Sequence, residues 1–269
     1  SIFSPEDNAS APAGTLKLRR FFNPSLGLMG LSYYTTTQDE AEVRAELQAK
    51  FGDAASGFVE KAFVGFVFAA VNDATLRRFY NDETTQWHVS TATGELSDIT
   101  SEIYKEMEAK FGKDNLSKFE EEEASAGVAP AGPPPADRVA ILAFYNPTTQ
   151  QYYYTTNSDF NSPEILNKLE HGFISEGALG YIFSPNAPAA GAGDPARSRL
   201  HGLFNRSSGE ILFTARESER VSILQNQNLD YGVETQTDNH FFMVGNQEYV
   251  KSVITTSQWL PGGIVSITE

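Results

Sequence analysis

Cysteine is absent from the 269-residue chain, which excludes disulfide bonds and thiolate metal ligands. The chain also lacks any apolar run near the roughly 18 residues that a membrane span requires, so we expect no membrane insertion. Positive charge is scarce, because 20 Lys and Arg residues stand against 35 Asp and Glu residues and leave a net charge of −15. Nucleic-acid binding draws most of its affinity from Lys and Arg at phosphates, so nucleic acid and anionic membrane surfaces are disfavoured as partners.

Sequence motifs for metal, cofactor and catalytic sites are missing as well. The histidines are scattered, without a pair at i, i+3 or i+4: His88, His171, His201 and His240. Such pairs are the usual sign of metal ligands on a helix, so we predict no metal site. The Gly-x-Ser-x-Gly elbow, the phosphate-binding loop and the dinucleotide-binding glycine pattern are also absent. We therefore predict no cofactor and no catalytic residue from a motif.

A recurring pattern of aromatic residues is what the chain does contain. Residues 142–156 hold two aromatic runs around an Asn-Pro and Thr/Gln cluster, which is typical of two antiparallel strands joined by a tight loop. Related stretches recur at intervals of about 60 residues and indicate a copied unit. Each copy is marked by an asparagine at the end of its first aromatic run: Asn23, Asn81, Asn146 and Asn205.

A short amphipathic helix is predicted after each hairpin, because apolar residues follow at a spacing of three or four. These residues are Val43, Leu47 and Phe51; Ile99, Ile103, Met107 and Phe111; Ile165, Leu166 and Leu169; and Val221 and Leu224. Thr37 and Thr214 each open a capping box, and Ser162 can cap the third helix. A closing strand follows most helices. In the second copy four glutamates come after Phe119, so its closing strand is predicted to be degenerate or missing.

The predicted fold class is a β-rich α+β fold of four pseudo-repeats, each a β-hairpin, a short helix and a closing strand. The predicted segments are an irregular leader (1–14), repeat 1 (15–74), repeat 2 (75–124), a Pro/Ala/Gly linker (125–138), repeat 3 (139–197), repeat 4 (198–244) and a strand-rich tail (245–269). If the tail pairs with repeat 1, the repeats close into a propeller-like ring. If the linker divides the chain, they form two lobes. Both arrangements remain open.

The order Arg-Phe-Tyr-Asn-Pro, hairpin, Tyr-Tyr-Thr-Thr, short helix and Gly-Phe-x-x-Glu-Gly-x-x-Gly-Tyr resembles a repeat family of unknown function. That family is found in secreted fungal and bacterial proteins, often beside cell-wall hydrolases. The third copy matches best, through Phe144, Tyr145, Asn146, Pro147, Tyr153, Tyr154, Thr155, Thr156, Gly172, Phe173, Glu176, Gly177, Gly180 and Tyr181. The resemblance implies an accessory module that binds a surface or a glycan such as cell-wall polysaccharide.

Secretion is the expected localisation. The chain begins at Ser1 without an initiator Met or a signal-peptide pattern, so we expect a processed, mature product. Asn8, Asn115 and Asn205 each begin an Asn-x-Ser sequon, which is compatible with an extracellular protein.

Candidate ligand-binding residues come from the hairpins. Alternate side chains of a strand face opposite ways, so one ring of each adjacent aromatic pair is expected to face outward, where it can stack on a sugar. These candidates are Tyr34, Trp87 and Tyr153, with His88 beside Trp87 as a departure from the usual Tyr. Alternatively, both rings of a pair pack inside. Arg20 and Arg78 could anchor a ligand carboxylate or pair with internal Asp and Glu.

The leading functional hypothesis is a secreted, non-enzymatic, lectin-like protein that binds carbohydrate through exposed aromatics. One alternative is a glycan hydrolase with an acid-base pair drawn from Glu60, Glu176 and Glu234, although the recurrence of these residues favours a structural role. A second alternative is a structural or defence protein that acts through protein contacts. The sequence does not define the ligand or the oligomeric state.

Overall fold

The computed structural model describes residues 1–4, 11–26, 30–122, 126–184, 187–189, 192, 195–205, 211–226, 231–237 and 240–243, the last two ranges by their backbone only. The predicted strand-rich tail over 245–269, and the ring closure expected from it, lie outside these residues. Antiparallel sheets and a few short helices make up the described chain, which confirms the β-rich fold class. No helix in the described ranges has the length and apolar character needed to cross a membrane.

The first unit contains a hairpin, a helix and two closing strands. Its elements are β2 (Thr15–Asn23), β3 (Leu31–Thr35), α1 (Glu40–Phe51), β4 (Val59–Glu60) and β5 (Gly65–Phe68). A shorter strand, β1 (Ile2–Phe3), precedes it and pairs with β5. The predicted leader is therefore not irregular throughout, because Ile2 enters the core beside the edge of β5 and is 1% exposed.

Three further units follow in the same order. The second comprises β6 (Ala74–Thr75), β7 (Arg77–Asn81), β8 (Gln86–Ser90), α2 (Glu102–Phe111), β9 (Phe119–Glu121) and β10 (Gly127–Ala129). The third comprises β11 (Arg138–Asn146), β12 (Gln151–Thr155), α3 (Pro163–Glu170) and β13 (Ile174–Phe183). The last comprises β14 (Arg197–Ser198), β15 (His201–Asn205), β16 (Ile211–Thr214), α4 (Glu217–Gln225), β17 (Tyr231–Thr237) and β18 (His240–Met243).

The strand pairing is the same in every unit. The first hairpin strand lies between the second hairpin strand and a closing strand, in the orders β3-β2-β4, β8-β7-β9, β12-β11-β13 and β16-β15-β17. The second unit thus has a closing strand, β9, where a degenerate or missing one was predicted. Its glutamates are tolerated because Glu121 and Glu122 pair with Arg77 and Arg78 on the neighbouring β7.

The units are joined out of chain order. β10 pairs in parallel with β13 and antiparallel with β6, and β13 reaches β5 through Tyr181 and Phe68. The first and third units therefore share one 11-stranded sheet. The predicted linker over 125–138 is not a free spacer, because β10 lies within it and joins the second unit to the third.

The marker asparagines have a structural role at the hairpin loops. All four are buried, with at most 4% of their surface exposed. Asn146 accepts backbone N–H groups of Thr148 and Thr149 at 2.9 and 3.0 Å and donates to the carbonyl of His171 at 2.8 Å. Such Asx turns fix the loop and connect it to the helix end. Asn205 is 0% exposed, so the side chain that its sequon would glycosylate is buried in the folded chain.

A hydroxyl turn recurs after every hairpin. The hydroxyl oxygen accepts the backbone N–H two residues on, in the pairs Thr35 with Thr37, Ser90 with Ala92, Thr155 with Asn157, and Thr214 with Arg216. In three units the same hydroxyl also contacts a helix carboxylate, from Glu46, Glu106 or Glu219. The turn thus ends the hairpin and directs the chain into its helix.

Most of the apolar residues predicted to lie on the buried side of a helix are buried, but two of the predicted capping residues are wrong. Val43, Leu47, Phe51, Ile103, Met107, Ile165 and Leu169 are buried. α1 is capped by Asp39 rather than Thr37, and α4 begins after Arg216 rather than Thr214. Ile99 precedes α2 and is 65% exposed.

The apolar stripe predicted for α4 is also corrected. Val221 is 37% exposed, and Arg220 takes the buried position of this helix instead. The aliphatic stem of an arginine can cover apolar surface while its charged group is paired, and Arg220 bonds to Glu217 at 2.5 and 2.9 Å.

Candidate functional site

The edge of the second hairpin is bonded to the third unit through the side chain of Asn161. Asn161, just before α3, accepts the backbone N–H of Val89 and donates to its carbonyl, both at 2.8 Å. Val89 therefore points its backbone groups away from β7. In an antiparallel pair residues two apart point the same way, so the N–H and C=O of Trp87 also face outward from the edge of β8.

A groove of about 490 Å³ lies beside Trp87, between β8, the end of α2 and α3. Apolar surface comes from Trp87, Phe111, Pro163 and Leu166. Polar groups on the rim come from Thr85, Gln86, Lys110, Asn161, Asn167 and Glu170. An aromatic ring surrounded by amides, a hydroxyl and charges gives the groove the composition of a small-molecule site.

The Trp87 ring packs against two neighbouring side chains at this groove. Its ring lies 4.5 Å from the Tyr80 ring between centroids, tilted by 38°, because the two residues face each other across β7 and β8. The guanidinium carbon of Arg78 lies 5.1 Å from the Trp87 ring. Trp87 remains half-buried, so part of the indole stays open to the groove.

Arg78 is engaged within the protein. It pairs with Glu122 and donates to the carbonyl of Leu169 at 2.9 Å, at the end of α3. The sequence left two roles open for Arg78, anchoring a ligand carboxylate or pairing with an internal carboxylate. Its contacts are those of the second role.

His88 lies under the groove rather than in it. His88 is 2% exposed, because its side chain points toward α2 on the face of β8 opposite Trp87. Its Nε2 lies 2.7 Å from Glu106, and its Nδ1 lies 3.2 Å from the ammonium of Lys110. An ammonium only donates, so Nδ1 accepts and Nε2 carries the proton. Burial lowers the pKa of His88, against the opposing effect of the hydrogen bond that His88 donates to Glu106.

Tyr34 is buried, which corrects the expectation that its ring faces outward, and Arg20 is buried beside it with an internal partner. Tyr34 is 1% exposed, and its hydroxyl accepts the backbone N–H of Phe213 at 2.7 Å. The ring packs edge-on against Tyr154 and Phe213, at 5.2 and 5.5 Å. Arg20 pairs with Glu219 of α4 at 2.5 Å. The outer face of the first hairpin is covered by the third and fourth units, so these side chains join units.

Tyr153 does not line the groove. It is half-buried on the α3 side of the third hairpin, with the Lys168 ammonium 4.7 Å from its ring and Phe144 at 5.9 Å. Its phenol oxygen is buried and has no hydrogen-bond partner among the described residues.

Two of the three glutamates considered for an acid-base pair are held by cations. Glu60 receives two bonds from Arg19, both at 2.8 Å. Glu176 pairs with Lys50 and accepts from the Tyr152 hydroxyl at 3.2 Å. The side chain of Glu234 lies outside the described residues.

The strand registers also correct the predicted equivalence of these glutamates. Phe21 pairs with Glu60, whereas the matching Phe144 pairs with Ser175, so Glu60 does not correspond to Glu176. The counterpart of Glu60 is Glu121, which receives two bonds from Arg77.

Sequence reasoning found Trp87 but missed the rest of the groove. Lys110, Asn161, Leu166 and Asn167 come from two different units, and nothing in the local pattern places them together. Over the ranges that the structure describes, no three His, Asp or Glu side chains gather as metal ligands would.

The described chain is thus a β-rich protein with a mixed polar and apolar groove between its second and third units. Residues 140–239 match the family model of a domain of unknown function (DUF5648). The matched part includes the α3 side of the groove, whereas Trp87 and Lys110 precede it. No curated protein and no solved structure matched the chain.

Proposed function

We propose that this protein binds carbohydrate in the groove beside Trp87, as a secreted, lectin-like accessory protein. The observation that supports this function is the position of Trp87 itself. Of the aromatic candidates, Tyr34 is enclosed between units and Tyr153 lies against α3, whereas Trp87 lines an open groove. Its ring is fixed against Tyr80 and is available before any ligand arrives, which lowers the entropic cost of binding.

The chemistry of the groove suits a sugar ring. The apolar face of a pyranose stacks on an aromatic ring, while its hydroxyls need donors and acceptors around the rim. Gln86 and Asn167 are exposed amides in suitable positions. The outward N–H and C=O of Trp87 add one donor and one acceptor at the stacking residue itself. We propose glycans, such as cell-wall polysaccharide, as the ligands.

A binding role without catalysis agrees with the state of the carboxylates. Glu60 and Glu176 are each paired with a cation, and neither lines this groove. A glycosidase needs two carboxyl groups facing one bound sugar across a short gap. The groove itself contains one carboxylate, from Glu170.

We also propose that the four units are pseudo-repeats of one ancestral unit. The shared pairing order, the buried marker asparagines and the recurring hydroxyl turns support this relation. The fourth unit contacts the first, the first joins the third, and the third contacts the second. Because these contacts cross the linker, they argue against two lobes divided there, whereas the succession of units itself is open and does not close a ring.

A glycan array with three proteins tests the proposed function. The wild type is expected to bind at least one glycan, Trp87→Ala to lose that binding, and Tyr153→Phe to keep it. Tyr153→Phe is the matched control because it changes an aromatic residue outside the groove. A wild type that binds no glycan overturns the function, and retained binding by Trp87→Ala rules out this groove as the site.

A further inference from the structure

Several Arg and Lys side chains of the described residues form salt bridges with carboxylates, whereas Lys110 is held differently. Salt bridges of 2.5 to 2.8 Å hold the side chains of Arg19, Arg20 and Arg77. Lys50 pairs with Glu176, and Arg78 pairs with Glu122. Within the described part of the chain, no carboxylate lies within 4.0 Å of the Lys110 ammonium. Among the residues lining the Trp87 groove, Lys110 is the one described Lys or Arg.

The Lys110 ammonium is positioned by a chain of hydrogen bonds that runs through the buried His88, rather than by an ion pair. Ser90 donates to Glu106 at 2.7 Å, Glu106 lies 2.7 Å from His88 Nε2, and His88 Nδ1 lies 3.2 Å from Lys110 Nζ. Because His88 is 2% exposed, its ring cannot turn away. One of the three ammonium N–H groups is used by His88, which leaves two for a ligand.

We infer that the groove selects an acidic sugar, whose carboxylate pairs with Lys110 while its ring stacks on Trp87. This inference rests on the proposed carbohydrate-binding function and names its ligand class. Charge-assisted bonds from an ammonium that lacks a counter-ion favour an anionic group over a neutral hydroxyl. The net charge of −15 does not attract anions from a distance, so the selection is made by this local cation.

Glu170 determines how an acidic sugar is oriented in the groove. Lys110 lies near the end of α2, and Glu170 lies at the end of α3, so the two opposite charges come from different walls. Glu170 would repel a ligand carboxylate placed near it. It can instead accept hydrogen bonds from the hydroxyl groups of the sugar. The acidic group of the sugar therefore points to Lys110 and its hydroxyl groups to the α3 wall.

A comparison of two matched oligosaccharides tests this inference. We would titrate the full chain calorimetrically with an oligogalacturonide and with its carboxyl-reduced, neutral form of equal length. The wild type is expected to bind the acidic oligomer about tenfold more tightly, as one charge-assisted bond provides. Lys110→Gln should lose this preference, whereas Lys113→Gln, which changes an exposed lysine outside the groove, should keep it. Added salt should reduce the difference in affinity between the acidic and the neutral oligomer in the wild type.

The outcomes separate the inference from the proposed function. Equal affinity for both oligomers, a preference for the neutral one, or a preference that survives Lys110→Gln overturns the acidic-sugar inference. If a glycan from the array binds at Trp87 but neither oligomer does, the carbohydrate function stands and this inference fails. If no glycan binds at all, the carbohydrate function fails, and the inference fails with it.

Discussion

The side-chain amide of Asn161 takes the place of a neighbouring strand for Val89. It satisfies both backbone groups of Val89, at 2.8 Å each, and so bonds the edge of β8 to the residue that precedes the cap of α3. The two residues are 72 positions apart in the chain. This contact positions the second hairpin against the third unit and leaves the adjacent stretch around Trp87 open as a groove.

Removing this amide should loosen the junction between the second and third units. Asn161→Ala breaks two hydrogen bonds, each with a net value of about 1 kcal/mol, so we expect the free energy of unfolding to fall by about 2 kcal/mol. Denaturant unfolding measures this loss. Asn167→Ala is the matched control, since Asn167 is exposed and is expected to change stability by less than about 0.5 kcal/mol. Equal stability of the two variants would contradict the role assigned to Asn161.

Acid should destabilise the fold through His88. Burial lowers the pKa of His88 below its ordinary value of about 6.5, so the unfolded chain takes up this proton more readily than the folded chain. Above that value both states are neutral and His88 contributes no pH dependence. As the pH falls from about 6.5 toward the lower folded pKa, the unfolded state is favoured and the free energy of unfolding decreases.

The neighbours of His88 define the control for this prediction. Glu106 and Lys110 face the ring from α2, and Asn161 faces it from the loop before α3. Chemical unfolding at several pH values between about 7 and 5 should show a shallower decline for His88→Gln than for the wild type. The same decline in both proteins would mean that His88 does not titrate as its burial requires.

The marker asparagine of the third hairpin should be important for stability. Asn146→Ala removes three hydrogen bonds from a side chain that is 4% exposed, so we expect a loss of about 2 to 3 kcal/mol. Asn115→Ala is the control, because the exposed Asn115 makes a single bond to the Phe111 carbonyl. Thermal unfolding of both variants measures the difference. A loss at Asn146 no larger than at Asn115 would show that the loop does not depend on its Asx turn.

Loss of the hydroxyl group should change the free energy of unfolding differently at two adjacent tyrosines, Tyr152 and Tyr153. The phenol oxygen of Tyr153 is buried without a partner in the described chain, so Tyr153→Phe should be neutral or stabilising by up to about 1 kcal/mol. Tyr152→Phe removes a bond to Glu176 at 3.2 Å and should cost about 1 kcal/mol. Denaturant midpoints of the two variants provide the measurement. A destabilised Tyr153→Phe variant would reveal a partner for that hydroxyl.

Much of the local structure could be predicted from the sequence. Aromatic runs on both sides of a turn cluster indicated the hairpins, and the spacing of Val43 and Leu47 indicated the buried side of α1, because turns and helices are specified by residues close together in the chain. The recurrence of Asn146 and its counterparts marked the loops correctly, since an Asx turn needs that side chain at that place. The second closing strand was underestimated because its glutamates are compensated by arginines on another strand.

The sequence by itself thus determined the hairpins, the helices and the β-rich class of this protein, all of which follow from patterns within a few residues. Only the tertiary structure decided which face of each hairpin is covered. Tyr34 is enclosed because the fourth unit packs on the first, where Arg20 meets Glu219 across 199 positions of the chain. Trp87 stays accessible because Asn161 holds the edge of β8 beside it. Contacts between residues so distant in the chain leave no local periodicity, and they determine where a ligand can enter.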